Sequence, residues 1–352
     1  MRFGIVGCGE IGTMHAELIA AMPDRACLEA VADSAPAAAR ALGERYDARV
    51  MGGIAELCRD PGLDAISVCL PNHLHAEAAV AALRAGKHVV IEKPIDITLE
   101  AANAIIAAER DSGRTATVIS QRRFQPAFAA LHAEITAGRL GKIAFGSVHT
   151  PFWRTQSYYD SAGWRGTWAG EGGGALMNQG SHGLDLLLWL MGTPVAVSAF
   201  AGTVAHERVE VEDTLAGTIR FASGAVGMFG ATTAGYPGGT LRLEVAGDSG
   251  RVVVEDEVLR YLHTRDRAPA DPDTETTDQT DQKDGVVDQH ADPSVDAAHA
   301  AQYRDFVDAV TLGRPPLVST RDGRRVLAVM LAAYRSASRD GASVSLPAQA
   351  VA

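Results

Sequence analysis

The sequence is poor in the features that mark disulfide-rich, membrane-spanning and nucleic-acid-binding proteins. It has four cysteines in 352 residues and no C-x-x-C spacing, which favours buried reduced thiols over disulfides or a metal site. No apolar stretch is long enough to cross a membrane and no signal peptide opens the chain, so we expect a cytoplasmic protein. The formal net charge of −11 argues against binding to nucleic acid. A small anionic substrate stays open, since local arginines can receive one.

A short apolar run near the start of the chain leads into the sequence G-x-G-x-x-G. Gly7 allows a sharp turn after the strand, Gly9 leaves the backbone bare for a pyrophosphate, and Gly12 lets the next helix pack closely. The N–H groups at the start of that helix, predicted over 11–21, then face the phosphates. Glycine loops also occur for packing alone, but this one has the strand before it and the helix after it that a dinucleotide site requires.

A carboxylate at the end of the second predicted strand indicates which dinucleotide is bound. Asp33 follows the strand 28–32, about 20 residues beyond the glycine motif, and can accept hydrogen bonds from the adenosine ribose hydroxyls. It would repel a 2′-phosphate, and Ser34 and Ala35 beside it bring no positive charge. We therefore expect NAD, with NADP less favoured. The alternative is that Asp33 only caps the helix that begins near Pro36.

Strands and helices alternate along roughly the first 120 residues, which predicts an α/β fold with a parallel, doubly wound (Rossmann) sheet. Further strands are expected at 64–70, 87–91 and 115–120. Helices are expected at 73–85, with Asn72 as its N-cap, and at 99–111, with Thr98 as its N-cap. We therefore take residues 1–121 as a dinucleotide-binding domain.

Beyond residue 121 the pattern predicts an α+β domain with a largely antiparallel sheet. Its strands are expected at 142–148, 195–201, 214–221, 225–231, 241–246 and 251–254. Its helices are expected at 126–137, 174–191, 297–312 and 320–338. The polar stretch Asp266 to Asp296 is typical of a long exposed loop. We take residues 122–352 as a domain for substrate binding and oligomerisation, with the final helices free to pack back on the first domain.

The segment Ile91-Glu92-Lys93-Pro94 is the first of three places where the sequence indicates chemistry. It stands at the carboxyl end of a predicted parallel strand, where doubly wound sheets bind their ligands. A lysine that leaves a buried strand is poorly solvated, so its pKa falls or its ammonium group donates to a substrate oxygen. The alternative is an ordinary surface lysine in a loop.

The second place is the apolar helix that contains Asn178, His182 and Asp185. The i, i+4, i+7 spacing predicts that all three lie on one face of the helix. A histidine there can act as a general base, with a polar neighbour fixing its tautomer. The alternative is a hydrogen-bonded core histidine. The many glycines around it cost helix stability and favour close approach by a ligand or another backbone.

The third place is an aromatic loop that carries arginines, with Trp153, Arg154, Trp164 and Arg165. Aromatic faces stack on sugar rings or nicotinamide, and the fork of an arginine binds oxygens. Packing between the two domains is the alternative for these side chains.

Several long segments carry a family resemblance. They include GIVGCGEIGTMHAELI, VCLPNHLHAEAAVAALRAGKHVVIEKPI, QRRFQPAF and WRGTWAGEGGGALMNQGSHGLDLLLWLMG. These segments resemble the glucose–fructose oxidoreductase, inositol dehydrogenase and MocA family, here abbreviated Gfo/Idh/MocA. The resemblance extends along nearly the whole chain apart from 266–296. The E-K-P strand end and the glycine-rich histidine helix are far more specific than the glycine loop.

The resemblance implies an enzyme that uses NAD(H) or NADP(H) to oxidise or reduce a secondary alcohol of a sugar or cyclitol. The family's lysine matches Lys93, its histidine matches His182, and the Lys93–Pro94 bond is implied to be cis. The family often has an aspartate where this chain has Asn178, so a His–Asp relay is not carried over. We expect His182 to remove the hydroxyl proton, Lys93 to polarise the oxygen, and Asn178 to orient the substrate or His182.

Residues and partners of the site follow from the motifs and the resemblance. The expected cofactor-binding residues are Gly7, Gly9, Glu10, Ile11, Gly12, Asp33, Pro71, Asn72, His75, Glu92, Lys93, Gln121, Trp164 and Arg165. The expected substrate-binding residues are Lys93, Arg123, Trp153, Arg154, Trp164, Arg165, Asn178 and His182. We expect a neutral monosaccharide, cyclitol or simple glycoside as substrate, and a homodimer or homotetramer.

Three alternatives stay open from the sequence. A sugar acid or nucleotide sugar becomes possible if four arginines converge in space, namely Arg122, Arg123, Arg154 and Arg165. A glycosidase that oxidises its substrate transiently would use NAD without net turnover of it. A sensor that binds NAD(H) without catalysis is the third, and the presence of both Lys93 and His182 counts against it.

Overall fold

The computed structural model describes residues 1–265 and 293–346 and contains two β-sheets. The first sheet has six strands, β1 Arg2–Val6, β2 Cys27–Ala32, β3 Arg49–Met51, β4 Ala65–Val68, β5 His88–Ile91 and β6 Ala116–Val118. Their order is β3-β2-β1-β4-β5-β6 and every pair is parallel. The central strands are buried apolar runs, as expected when helices cover both faces of a sheet. The doubly wound sheet is therefore confirmed.

The helices of this first domain connect its parallel strands. They are α1 Glu10–Ala20, α2 Pro36–Tyr46, α3 Ile54–Arg59, α4 His75–Arg84 and α5 Leu99–Ser112. Thr98 caps α5 as predicted, since its side chain accepts a hydrogen bond from the Ala101 N–H. The predicted cap at Asn72 is wrong, because a short 3₁₀ turn precedes α4 and the Asn72 side chain donates to the Glu171 carbonyl instead.

The second sheet is mixed and mostly antiparallel, as predicted. Its strands are β7 Ile143–Pro151, β8 Pro194–Gly202, β9 Thr214–Phe221, β10 Val226–Thr232, β11 Arg242–Gly247, β12 Gly250–Glu255, β13 Val258–Thr264 and β14 Val344–Ser345. They lie in the order β13-β12-β11-β7-β10-β9-β8-β14, and only the β7–β10 pair of these described strands is parallel. The sequence analysis did not anticipate β13 and β14.

Five helices accompany the second sheet, α6 Pro126–Thr136, α7 Gln156–Asp160, α8 Ser181–Met191, α9 Pro293–Leu312 and α10 Thr320–Ala337. Helix α8 packs on β7 and β10, while α10 lies between β8 and helix α5 of the first domain. Helix α9 contacts α1 and carries Tyr303 and Phe306 into one apolar cluster with Phe3. The two closing helices thus join both domains. The predicted loop 266–296 lies outside the described residues, except that α9 already begins at Pro293.

The predicted apolar helix 174–191 is helical before Ser181 as well, but it is α-helical as an element only from Ser181 onward. Residues Leu176–Gly180 form one π-helical turn that leads into α8. The Glu212 carboxylate fixes this start, because it accepts hydrogen bonds from the backbone N–H groups of Gly174 at 2.8 Å and Leu176 at 2.9 Å. The described residues include no helix that is both long and apolar enough to span a membrane.

Candidate active site

The glycines of the first loop have three different surroundings. Gly7 adopts φ +94°, and a Cβ atom on it would lie 2.2 Å from the Cys69 carbonyl oxygen. A Cβ on Gly12 would lie 1.9 Å from the Gly7 carbonyl oxygen, so these two glycines are required by packing. The Cβ position of Gly9, by contrast, is open to at least 4 Å. The loop is therefore tightly packed at Gly7 and Gly12 and open at Gly9, as the approach of a pyrophosphate requires.

Two further features fit a bound dinucleotide. No side chain caps the first turn of α1, which begins at Glu10 and Ile11, so its N–H groups stay available to an anion. Gln121 is buried at the end of the first domain, and its Oε1 atom has no hydrogen-bond partner among the described residues. An orphaned buried acceptor suits the amide of a nicotinamide ring.

Asp33 stands beside the glycine loop at the end of β2. One carboxylate oxygen accepts a hydrogen bond from the Cys8 N–H at 2.6 Å, and the other accepts from the Ala35 N–H at 2.7 Å. The alternative role as a helix cap is wrong, because Ala35 is the N-cap of α2 and makes no side-chain bond. The carboxylate keeps lone pairs for ribose hydroxyls.

Lys93 leaves the end of β5 next to a cis peptide bond with Pro94, as the resemblance implied. Its backbone N–H donates to Glu92 Oε2 at 2.9 Å, while Glu92 Oε1 lies 3.0 Å from His15 Nε2. Its ammonium group donates to Asn178 Oδ1 at 2.9 Å. Burial lowers the pKa of Lys93, although the carboxylates of Glu92 and Glu171 oppose this shift.

The hydrogen bonds of Asn178 determine how its amide is oriented. Its Nδ2 atom donates to Glu171 Oε1 at 2.7 Å and to the Tyr158 hydroxyl at 3.0 Å. Because Lys93 can only donate, the amide oxygen must face it. Asn178 therefore contacts Lys93 directly, and its side chain makes no hydrogen bond to His182 within the described part of the chain.

His182 lines the same cavity as Lys93, between the end of β5 and helix α8. Among the described residues none forms a hydrogen bond with its ring. Burial lowers the pKa of His182 well below its usual range, and the positive charges of Lys93 and Arg122 lower it further. The ring is therefore neutral at pH 7 and can accept a proton.

Asp185 lines the same cavity as Lys93 and His182, but its carboxylate is engaged in a core ion pair. It is buried and holds the guanidinium of Arg123 through two hydrogen bonds, at 2.6 and 2.8 Å. Arg123 is itself buried and also lies 3.5 Å from Asp322. The structure therefore keeps Arg123, which we expected to bind substrate, inside a core ion pair.

The aromatic loop brings arginines close to Lys93. Arg165 Nη1 donates to the Tyr158 hydroxyl at 2.5 Å, and its guanidinium lies 4.3 Å from the Tyr158 ring and 4.7 Å from Trp164. The guanidinium of Arg154 lies 4.9 Å from the same Tyr158 ring. Trp153 is 39% exposed and packs edge-on against Tyr236, at the rim of this loop.

Three predicted cofactor residues have their polar groups engaged within the protein. Both ring nitrogens of His75 meet carbonyl oxygens, of Pro94 at 2.7 Å and of Leu70 at 2.8 Å. Asn72 donates to the Glu171 carbonyl, and Glu92 accepts from its two neighbours. Pro71 begins the short turn before α4. These residues support the strand ends that carry the site.

Sequence reasoning missed Glu171 and Tyr158 as site residues. Glu171 Oε2 accepts a hydrogen bond from the Gly166 N–H at 2.7 Å, and its other oxygen holds Asn178. Burial raises the pKa of Glu171. The sequence E-G-G-G could have indicated Glu171 as a site residue. A carboxylate directly before three glycines is an unusual combination for an exposed loop.

Models of known families match both domains. Residues 1–120 match "Oxidoreductase family, NAD-binding Rossmann fold", and residues 132–346 match "Oxidoreductase family, C-terminal alpha/beta domain". The chain belongs to the Gfo/Idh/MocA oxidoreductase family. The resemblance stated from the sequence is thereby confirmed, and this Gfo/Idh/MocA protein has an NAD-binding Rossmann domain.

Relatives of this Gfo/Idh/MocA protein have varied substrates in their names. An inositol 2-dehydrogenase of Rhizobium meliloti (strain 1021) is 29% identical over 346 residues, which is 96% of each chain. A levoglucosan dehydrogenase of Pseudarthrobacter phenanthrenivorans is 30% identical over 292 residues, 73% of this chain and 74% of the relative. The WlbA dehydrogenase of Bordetella pertussis, solved in complex with NADH and UDP-GlcNAcA, has a TM-score of 0.85 at 32% identity and 98% coverage of both chains.

Proposed function

We propose that the protein transfers a hydride between NAD(H) and a secondary alcohol or ketone of a sugar, cyclitol or related polyol. The observation that carries this proposal is the pairing of Lys93 and a neutral, unengaged His182 on one cavity, at the carboxyl end of a parallel strand. The relatives named for inositol and levoglucosan support the substrate class.

The residues divide the work as follows. Gly9, the start of α1 and Asp33 would hold the pyrophosphate and the adenosine ribose. Gln121, Trp164 and Arg165 would hold the nicotinamide end. NAD⁺, when bound, supplies the acceptor for the hydride.

Proton transfer falls to the chain's own side chains. His182 takes the proton of the reacting hydroxyl at a ring nitrogen, and the Lys93 ammonium donates a hydrogen bond to the same oxygen as negative charge develops there. Asn178 holds Lys93 in place through its amide oxygen. Reduction of a ketone follows the same steps in reverse.

A substrate screen tests this proposal. Purified protein is incubated with NAD⁺ or NADP⁺ and a panel of sugars, cyclitols, sugar acids and glycosides, and both NADH absorbance and released free sugar are measured. We expect NADH to accumulate with at least one polyol. Free sugar released without net NADH would indicate a transient-oxidation glycosidase, and tight NADH binding with no turnover on any compound would indicate a sensor.

The preference for NAD is proposed from Asp33. We expect NADH to bind at least about tenfold more tightly than NADPH at one ionic strength, the usual scale for losing hydrogen bonds to a charged group. Asp33→Ala is expected to reduce this ratio, because repulsion of the 2′-phosphate is removed. Asp24→Ala, an exposed change of the same charge, is the control. NADPH binding as tight as NADH binding in the unchanged protein would contradict the preference.

We also propose that the protein is a homo-oligomer that pairs through the open face of the second sheet. Phe200, Val226 and Met228 are 64%, 46% and 50% exposed, and the strand registers place them on one face of β8, β9 and β10. Exposed apolar side chains on one sheet face are typical of an interface. Light scattering on the purified protein tests this, and a monomeric mass at micromolar concentration would exclude it.

A further inference from the structure

Arg154 and Arg165 lie at the candidate site without a carboxylate partner. Neither forms an ion pair with any residue that the structure describes, although both side chains are partly buried. Their Nε atoms are buried and have no hydrogen-bond partner among those residues. Both guanidinium groups are held against the Tyr158 ring, at 4.9 and 4.3 Å. They are therefore kept in position with hydrogen-bonding capacity left over.

The position of these arginines is set by the backbone as well. The Arg154 N–H donates to the Thr233 carbonyl at 2.9 Å, and the Arg154 carbonyl oxygen lies 2.8 Å from His206 Nε2. The Arg165 N–H donates to the Ala162 carbonyl at 3.0 Å. Each guanidinium thus extends from a fixed point of the loop toward Tyr158.

The local charges do not balance. The positive charges of Arg165 and Arg154 both act on Lys93, so the three cations lie close together. The carboxylates of Glu92 and Glu171 also act on Lys93, but Glu171 is a single charge beside three cations. Its oxygens accept hydrogen bonds from Gly166 and Asn178 and from neither arginine. Glu92 is paired with His15 on the other side of the strand end. In a chain of net charge −11, this site has an excess of positive charge.

Two neighbouring arginines are instead paired with carboxylates of the protein itself. Arg123 is held by Asp185 at 2.6 Å, and Arg122 lies 2.9 Å from Glu257. A cation that is withdrawn from water costs free energy unless an anion compensates it. Arg154 and Arg165 form no such ion pair within the described residues, which indicates that a ligand supplies the anion.

From this imbalance we infer that the substrate carries an oxyanion, a carboxylate or a phosphate, which Arg154 and Arg165 bind beside the reacting carbinol. The inference rests on the proposed function and deepens it. It replaces the sequence-based expectation of a neutral ring. Of the four arginines that were named as a possible anion site, two lie here without a carboxylate partner, whereas Arg122 and Arg123 are paired with Glu257 and Asp185. Guanidinium groups suit both oxyanions, since their N–H pairs match two oxygens.

Matched ligand pairs test the inference through binding as well as turnover. Dissociation constants are measured by calorimetry with the NADH-loaded protein for glucose, glucuronate and glucose 6-phosphate, and for UDP-N-acetylglucosamine and UDP-GlcNAcA. We expect the member of a pair that has the extra anionic group to bind between about tenfold and a hundredfold more tightly, the usual scale of a charge-assisted hydrogen bond. The glucuronate and glucose 6-phosphate arms distinguish a carboxylate from a phosphate.

Variants then assign the effect to the two arginines. Arg154→Met and Arg165→Met keep the unbranched apolar stem of the side chain and remove the guanidinium that lies over Tyr158. Each should remove most of the preference for the anionic member. Arg220→Met removes the same charge from an exposed position of β9 and is the matched control. Equal binding of neutral and anionic members in every pair, or equal loss of both in the variants, would overturn the inference.

The two proposals fail separately. Anion-selective binding that depends on Arg154 and Arg165, with no NADH formed from any compound, would refute the oxidoreductase proposal and support the anion site. Turnover of neutral rings with no anion preference would do the opposite.

Discussion

Two histidines on different helices experience opposite environments near the end of β5. His15, on α1, is fully buried, and its ring nitrogens lie 3.0 Å from Glu92 and 2.7 Å from Ser67 and Tyr303. Burial alone would lower the pKa of His15, but Cys69 and Glu92 outweigh it and raise the pKa to about 10. His15 is therefore an imidazolium at pH 7.

For His182, on α8, the Glu92 charge opposes the effect of burial but does not outweigh it. No described residue hydrogen-bonds its ring, and Lys93 and Arg122 contribute positive charge, so its pKa lies well below the usual value. The comparison teaches that the partners of a buried histidine decide its charge, since burial acts on both rings in the same direction. The charged, saturated His15 supports the strand end, whereas the neutral His182 is free to react.

Replacing the reactive histidine should have the largest effect. We expect His182→Ala to lower turnover by at least about 10²-fold, the scale for losing a positioned acid–base group. NADH affinity should stay within about twofold, because the proposed role of this ring is toward the substrate and not toward the cofactor. Steady-state kinetics and NADH titration measure the two quantities. Near-normal turnover would remove His182 from the mechanism.

Lys93→Met should lower turnover by about 10²-fold, since the developing charge on the substrate oxygen loses its donor. The pH profile sharpens the comparison. The Lys93 charge lowers the pKa of His182, so its removal raises that pKa and moves the acid limb of kcat/KM to higher pH. An unchanged acid limb would show that Lys93 does not act on the base. Lys142→Met, at an exposed residue directly before β7, serves as the control.

The smallest effect is expected at the charged histidine and concerns stability. Glu92→Gln should lower the free energy of unfolding by about 1.5 kcal/mol near pH 6, the scale of a hydrogen bond between charged groups. NADH is left out of this measurement, so that cofactor affinity does not contribute. Glu44→Gln, an exposed change of the same kind, is the control.

The loss of unfolding free energy in Glu92→Gln should depend on pH, because the pKa values of Glu92 and His15 are both shifted. The pKa of Glu92 is lowered, since the His15 hydrogen bond and charge outweigh burial, so its contribution is present above pH 4.5 and lost in acid. The pKa of His15 is raised, so its contribution is complete below pH 6.5 and is lost as the pH rises through about 10. Denaturant unfolding should show the largest difference in unfolding free energy between the unchanged protein and Glu92→Gln in the range from pH 4.5 to 6.5. A gap that grows toward pH 10 would contradict an ionised His15.

Local sequence patterns predicted the parts of the site that depend on neighbours in the chain. Gly12 is a glycine because the Gly7 carbonyl leaves no room for a Cβ, and Gly7 because the end of the adjacent strand β4 leaves none. Thr98 caps the helix that directly follows it. The position of Lys93 follows from a buried strand that ends two residues earlier. Each of these inferences uses contacts that a short segment makes with itself or with an adjacent element.

Sequence patterns could not predict the contacts between segments that are distant in the chain. Asp185, the partner of Arg123, lies 62 residues away in the sequence. Only this pairing shows that Arg123 is a buried core residue and not a ligand-binding one. The π-helical turn depends on Glu212, which comes 36 residues after Leu176. The orientation of Asn178 depends on Tyr158 and Glu171, two residues of a loop whose path no periodicity predicts.

Helix α9 has a consequence for how this protein is made. Its Tyr303 and Phe306 complete the apolar cluster around Phe3, and the Tyr303 hydroxyl bonds Ser67 on β4. The nucleotide-binding domain is thus built from two separate segments of the chain. Part of its core consists of residues that the ribosome adds near the end of synthesis. Domains generally fold as units while the chain emerges. Here the first domain to be translated cannot finish folding first, and a nascent chain that stops before α9 leaves the Phe3 side of its sheet uncovered.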